Sequence, residues 1–507
     1  MDLFHNLILG FSISFTPQNL LYCFLGTLIG TAVGVLPGLG PVASIALLLP
    51  VTFKMDMASA IIMLSGIYYG TMYGGSITSI LVNIPGEAAS IVTCLDGYQM
   101  ARQGRGGPAL GIAAFGSFIA GTIGVILLMC LAPPLASIAV NFGAPEYFSM
   151  MLLGLTLVTY LSRQSMIKGL IAAILGLTLG VIGLDPITAF PRFTFGSINL
   201  QDGLNLAPLA MGLFGLAEVL SSVQNPEEKL TFVNKRSSLL PTRQDWRDSR
   251  WPILRGTFLG FFLGIPPGGG GVIASFASYI VERRFSRQPE KFGKGAIEGV
   301  AGPESANNSA VAGAYIPLLT LGLPTNAVMA LLLGSLMIHG VQPGPLMYQE
   351  HAAVFWGVIT SMYIGNVMLL ILNIPLIALF ISILRIPYSY LAPLIVVFCY
   401  VGAFSINNNI ADVLVMTFFG FAGYFLRRCG IDTAPLLLAF VLGPVMETSL
   451  RQSLTVSNGS GMIFLTRPVS AAFLILAVVL LSKPVYHLVM KYRKNMQTLL
   501  LRKRANS

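Results

Sequence analysis

The chain is short of charge. Only 10% of its 507 residues are Asp, Glu, Lys or Arg, against 55% hydrophobic residues and a mean hydropathy of +0.77. Such a composition cannot clothe a globule in polar side chains, so apolar faces must meet lipid. Several chemistries are missing as well. There is no GxxxxGK[ST] run, which excludes a P-loop nucleotide site, and the four histidines form no HExxH pair. The five cysteines, Cys23, Cys94, Cys130, Cys399 and Cys429, are scattered without CxxC spacing. Neither a disulfide framework nor a zinc site is indicated, and they read as small apolar fillers. Alternating ten-residue apolar patterns of an outer-membrane barrel are lacking. The opening stretch MDLFHNLILG has no basic region and no Ala-x-Ala cleavage site, so it is expected to be retained.

What the chain has is long apolar runs, for example Leu110 to Leu135, Leu204 to Leu220 and Trp356 to Leu384. Counted in windows of ~20 residues they predict an all-α polytopic membrane protein with about 11 or 12 crossings. The net charge of +10 comes largely from short clusters at Arg102 and Arg105, Arg163 and Lys168, Arg243 to Arg255, Arg283 to Lys294, Arg427 and Arg428, and Lys491 to Arg504. This is the positive-inside pattern and places those loops and the C-terminus in the cytoplasm. The sizeable polar linker, 223–251, separates a first membrane half, 1–222, from a second, 252–490, with a basic tail at 491–507.

The two halves share a motif. Gly26 to Val42, GTLIGTAVGVLPGLGPV, returns 230 residues later as GTFLGFFLGIPPGGGGV, identical at eight of seventeen positions, five of them glycine. A weaker match, four of fifteen positions, relates Gly74–Ala88 to Gly313–Ala327 at an offset of 239. The basic loop 282–294 corresponds to a first-half loop with only Lys54 and Asp56, while Arg102 and Arg105 correspond to a stretch ending at His351 without Lys or Arg. If basic loops face inward, the repeats are inverted. Arg255 before the second Pro-Gly element and Arg283 after it would share one side, which suits a hairpin that dips in and returns.

The chemistry is expected where helices break. The first pair of breaks offers Pro37, Gly38 and Gly40 in one half and Pro267, Gly268 and Gly269 in the other, with Pro37 and Gly38 matching Pro267 and Gly268; proline removes a helix hydrogen bond, and backbone groups freed at membrane depth need partners. An anion at a helix N-terminus and a cation on free carbonyls would supply them. The glycines four apart also suit close helix packing. The second pair is Asn83, Pro85, Gly86 and Glu87 against Pro324, Thr325 and Asn326. Glu87 suits either a helix dipole or proton or sodium coupling. Asp96 lies off the Glu87 face, and Asp96-Gly97 is expected to end its helix. The polar run Gly302 to Ser309 would put Ser305, Asn308 and Ser309 on one face; with Asn307 these are candidate ligands, or interhelical hydrogen bonders. Asn407, Asn408 and Asn409 read as a loop cluster. No Lys or Arg falls in any break.

The strings PGEAAS and GPESANNSA, set within YGGSITSILVNIPGEAASIVTCLDGYQMARQGRGG and GKGAIEGVAGPESANNSAVAGAYIPLLTLGLPTNAVMALLLGSLMIHGVQPGP, resemble the large membrane, TctA-like, subunit of the tripartite tricarboxylate transporters. The likeness covers nearly the whole chain. It implies a permease of the bacterial cytoplasmic membrane that imports tricarboxylates such as citrate, or related organic acid anions. The implied partners are a small TctB-like membrane subunit and a periplasmic TctC-like solute-binding protein, and the implied drive is a sodium or proton gradient without a cofactor. The alternatives are an intramembrane hydrolase using Ser305 or Ser309, and an ion channel.

Overall fold

A computed structural model describes residues 3–36, 39–160, 165–224, 239–383 and 388–482. The Lys491 to Arg504 tail and most of the linker lie outside them, as do Pro37 and Gly38.

The first half runs α1 Leu3–Ser14, α2 Pro17–Val35, α3 Gly40–Thr52, α4 Met57–Val82, a 3-10 turn Ala88–Ser90, α5 Ile91–Met100 and α6 Gly106–Ala139. Next come α7 Ala144–Tyr160, α8 Met166–Gly180, a two-residue hairpin pairing Gly183 with Arg192 and Leu184 with Pro191, α9 Leu206–Ala210 and α10 Ala217–Gln224. The second half holds α11 Arg243–Gly264, α12 Gly270–Phe285, α13 Glu298–Leu321, α14 Ala327–Ile338, α15 Met347–Glu350 and α16 Ala352–Asn373. It continues through α17 Ile377–Ile383, α18 Tyr388–Asn407, α19 Ile410–Arg428, α20 Ala434–Val456 and α21 Ile463–Thr466. Short π-helical stretches join α5 to α6 and α9 to α10.

Among the described residues seven helices are long and apolar enough to cross a bilayer, and five shorter apolar helices accompany them. The chain is thus an all-α, multi-pass membrane protein. Packing makes two units: residues 1–141 with 182–429, and residues 142–181 with 430–507. These do not coincide with the sequence halves. In the smaller unit Gly176 of α8 sits against the backbone of Leu436 in α20, and Glu146 of α7 accepts from Arg467 at 3.1 Å.

In the larger unit the two most enclosed helices are not the most apolar. α4 is buried without interruption from Ala58 to Ile80 and α13 from Gly299 to Thr320, yet both carry many Gly, Ser, Thr, Tyr and Asn residues. At 26 and 24 residues each is long enough to span the ~30 Å hydrocarbon layer. Lipid never touches this polarity because neighbouring helices cover it, which is how membrane helices retain hydroxyls and amides.

Small residues make the covering close. An added Cβ on Gly26, Gly30 or Gly34 of α2 would strike the backbone oxygen of Met63, Ile67 or Thr71 in α4. In the second half Gly256, Gly260 and Gly264 of α11 stand in the same way against Gly302, Ala306 and Ala310 of α13. Each residue of the first set matches its second-half equivalent, at 230 for the glycines and 239 for their partners. The reciprocal contact recurs too: Gly74 meets the oxygen of Thr31, and Gly313 that of Phe261.

Candidate functional site

Helix α4 ends on Asn83 in the left-handed region, φ 62 and ψ 26; α13 ends 239 residues later on Gly322 at φ 67 and ψ 25. After each end the chain extends through a proline and restarts on a polar N-cap. Glu87 (φ −143, ψ 167) caps the 3-10 turn, accepting from Ala89 N at 3.0 Å in a capping box with Ser90. Asn326 (φ −152, ψ 175) caps α14, accepting from Met329 N at 3.0 Å. The other two breaks, between α2 and α3 and between α11 and α12, restart on Gly40 (φ +49) and Gly270 (φ +59), again equivalent residues. A side chain is strained at such a φ, which is why glycine opens both helices.

The breaks meet each other. Gly268 N donates to Thr325 O at 2.8 Å, which ties the two second-half breaks together. Gly86 packs on Gly34 O and Gly75. Between the halves, Asn307 of α13 donates from Nδ2 to Glu87 Oε1 at 3.1 Å, and its Oδ1 has no hydrogen-bond partner. That oxygen abuts Gly271 in the first turn of α12, where any Cβ would collide with it. Asn307 therefore stands between the first turn of α12 and the Glu87 cap, two helix starts contributed by different halves of the chain. On the other side Asn326 Nδ2 lies 3.4 Å from Tyr68 Oη of α4.

Glu304 lies one turn before Asn307 on the same side of α13, its carboxyl accepting from Ser76 Oγ of α4 at 2.5 Å and from Thr93 Oγ1 of α5. Neither Glu304 nor Tyr68 stood among the residues expected from sequence. The signal for Glu304 was available: an ionisable residue inside a stretch of membrane length.

Of the expected residues, Glu87, Asn307, Gly268, Thr325 and Asn326 are brought into these contacts. Gly269 is buried at the α11–α12 break beside Leu263 O, with Pro267 half-buried before it. Pro85 and Pro324 lie in the extended links, the second of them buried. Asn83 is exposed and serves as the left-handed cap of α4. Ser305, Asn308 and Ser309 do share a face, but that face meets α6. Ser305 Oγ and Ser309 Oγ lie at Gly116 and Gly124, and Asn308 donates to Ser117 Oγ at 2.8 Å. Asn407 and Asn409 flank the short link between α18 and α19, with Asn409 the N-cap of α19.

Asp96 departs from expectation. It does not end a helix but lies inside α5, fully buried, and accepts from Gly293 N, Gly295 N and Ala296 N at 2.8 to 2.9 Å and from Tyr279 Oη at 2.9 Å. Three donors from the loop after α12, with Tyr279 of α12 itself, outweigh the local turn preference of Asp-Gly.

Loops gather at the ends of the unit in a consistent way. Arg105 pairs with Asp245 at the start of α11, Gln103 donates to Lys294 O at 2.7 Å, and Arg255 pairs with Glu282, joining α11 to the end of α12. These basic segments therefore lie together. Thr52 O, at the end of α3, is met instead by His339 Nε2 at 3.2 Å, at the end of α14.

Among known proteins, the sequence profile of the tripartite tricarboxylate transporter TctA family matches residues 20–438. The chain is 51% identical over 474 residues, 94% of each chain, to a 52.8 kDa protein in the TAR-I ttuC' 3' region of Agrobacterium vitis. It is 52% identical over 220 residues to a protein in the TAR-II ttuC' 3' region of the same organism, covering 43% of this chain and 91% of that one. No solved structure matches it. With four-fifths of its length inside one family profile and a full-length relative at this identity, the chain belongs to the tripartite tricarboxylate transporter TctA family.

Proposed function

We propose that this chain is the large permease subunit of a binding-protein-dependent secondary transporter, importing tricarboxylates or related organic acid anions across the bacterial cytoplasmic membrane on a sodium or proton gradient. A small membrane subunit and a periplasmic solute-binding protein complete the system. The observation that carries the reading is the meeting of helix breaks around Asn307, where Glu87 and the first turn of α12 converge from the two halves. With no Lys or Arg in the breaks, a carboxylate is held by helix-start N–H groups, amides, hydroxyls and a co-bound cation. The neighbourhood of relatives in the TAR-I and TAR-II regions, 3' of ttuC', fits an organic acid cargo.

Inverted repeats supply the alternation of access. Ser65 of α4 accepts from Tyr315 of α13 at 2.6 Å, and Ser76 meets Glu304 at 2.5 Å. As the number rises along α4 it falls along α13, so these equivalent helices run antiparallel. Equivalent helices that run oppositely through a bilayer belong to halves of opposite topology, which supports the inversion. The loop contacts agree, since the 52–56 loop and its equivalent at 286–297 are found with different neighbours.

Reconstitution with both partners and measurement of labelled citrate uptake under an imposed sodium or pH gradient tests the reading. Gradient-dependent, binding-protein-dependent accumulation is the expected result. Citrate flux that needs neither ion gradient nor binding protein would favour a channel, and cleavage of a reconstituted peptide would favour a hydrolase.

A further inference from the structure

Glu304 is 1% exposed, two turns into α13, and its carboxyl contacts two hydroxyls. The groups facing it from each packed element are few. α4 presents Tyr73 and Ser76, α5 presents Cys94 and Thr93, and α6 presents Ser117, whose Oγ lies 3.5 Å from the Glu304 carbonyl. α12 brings Glu282 and Ser278 to Gly302, and α11 brings Arg255, which is engaged by Glu282. Asp96 of α5 is held by the loop after α12, and Glu87 is taken by Asn307 one turn further along α13. No cation among the described residues pairs with Glu304. An ionised carboxylate at this depth without a counter-charge is costly, and the protonated acid is not.

Ser76 shows how both forms are accommodated. Its Oγ lies 2.5 Å from Glu304 Oε2 and 3.2 Å from Met72 O. A hydroxyl has one proton to donate and lone pairs to accept with. When Glu304 is protonated, it donates to Ser76 and Ser76 donates to Met72 O; when Glu304 is ionised, Ser76 turns its proton to the carboxylate. No heavy atom moves. Ser76 also lines a cavity of about 10 Å³, together with Tyr73, Ser117 and Asn373. The Tyr73 hydroxyl and Asn373 Oδ1 are buried there without partners. The rest of its wall is aliphatic, so these polar groups gather on one part of a small cavity at the size where a single water fits.

We propose that Glu304 is a proton-binding site, filled and emptied through Ser76 from this cavity, and that it is where the carrier couples to a proton. In the loading step a hydronium ion from solvent, reaching the cavity, gives one proton to Ser76 Oγ as the proton Ser76 held passes to Glu304 Oε2, and a neutral water is left. One O–H bond breaks at the hydronium and one at Ser76, while one forms at Ser76 and one at Glu304. Glu87 is the weaker candidate, because as an N-cap it is stabilised in its charged form by backbone N–H and helix dipole. The duplication does not repeat the site: the equivalent of Glu304 is Ser65 and that of Ser76 is Tyr315, so the paired contact carries no carboxyl.

The proton site stands on its own geometry, whereas the coupling role rests on the carrier reading. Infrared difference spectra of the purified full chain between acid and alkaline buffer test the site. A carboxylic acid C=O band is expected that is lost in Glu304→Gln, shifted in frequency in Ser76→Ala and Glu304→Asp, and retained in Glu87→Gln. A band unchanged in Glu304→Gln, or unmoved in both Ser76→Ala and Glu304→Asp, overturns it. Labelled citrate then tests coupling in vesicles: Glu304→Gln keeps exchange without a gradient and loses at least tenfold of the accumulation driven by a pH gradient. Accumulation equal to that of the unmodified protein overturns the coupling role. Absence of any citrate movement in the unmodified protein overturns the carrier reading and the coupling role together, and the infrared band decides proton binding alone.

Discussion

Asn326 Nδ2 sits 3.4 Å from Tyr68 Oη, and this contact is the equivalent, 239 residues apart and with the halves exchanged, of the 3.1 Å bond from Asn307 to Glu87. The duplicated frame thus holds two like crossings with unlike chemistry. One has a carboxylate facing an amide, and the other an amide facing a phenol. Only the first contains an ionisable carboxyl group.

The crossing between Glu87 and Asn307 is open to a double-mutant cycle. Glu87→Gln and Asn307→Ala are each expected to lower citrate uptake by tenfold or more. The double variant should lose less than the product of the two, a coupling of about 1 kcal/mol or more for groups in contact. Initial uptake rates in reconstituted vesicles measure it. Strict additivity would mean that the two side chains do not act on transport through one another.

The interlocked glycines predict a sharp positional effect. Gly260→Val places atoms against the Ala306 backbone, which cannot swing aside like a side chain. Overpacking of this kind costs about 1–3 kcal/mol. Gly344→Ala has open space around it and is the control. Thermal melts in detergent should show a clear drop for the first and none for the second.

How much of this was legible follows from the range of each signal. The glycine ridges and Pro-led breaks were visible because local spacing dictates them, and their recurrence at two offsets gave the order of helices in each half. Asp96 was misread because Asp-Gly has a local meaning, a turn, that was overruled by donors about 200 residues downstream. The neutral run Ser305, Asn308 and Ser309 reads as a polar face, but only packing tells that this face meets α6 while Glu304 meets α4 and α5 and Asn307 meets the Glu87 cap. A helical period tells which residues share a face, not what that face meets.

Asp96 carries its own prediction. Asp96→Ala leaves the amides of Gly293, Gly295 and Ala296 without their acceptor, a loss of about 2–3 kcal/mol after water replaces part of it. Because Arg287 and Lys291 are exposed in the same loop, the freed loop should be cut faster by trypsin. Limited proteolysis followed by mass mapping reads this directly. Cleavage at those sites at the unmodified rate would show that the loop is held by something other than Asp96.

Inversion of the halves makes a prediction about sidedness. Lys54 follows α3 and is exposed; Arg284, near the end of α12, occupies the equivalent loop region and is exposed too. In halves of the same topology these two positions would share a side of the membrane. In inverted halves they are opposed, with Arg284 cytoplasmic beside the other basic segments and Lys54 periplasmic. With the five native cysteines replaced, Lys54→Cys and Arg284→Cys can be labelled in intact cells by a membrane-impermeant maleimide. Cys at 54 is expected to react in intact cells, and Cys at 284 only after the cells are opened. Equal labelling at both positions in intact cells would remove the inversion, and with it the argument that the antiparallel pairing of α4 and α13 is a membrane-plane two-fold.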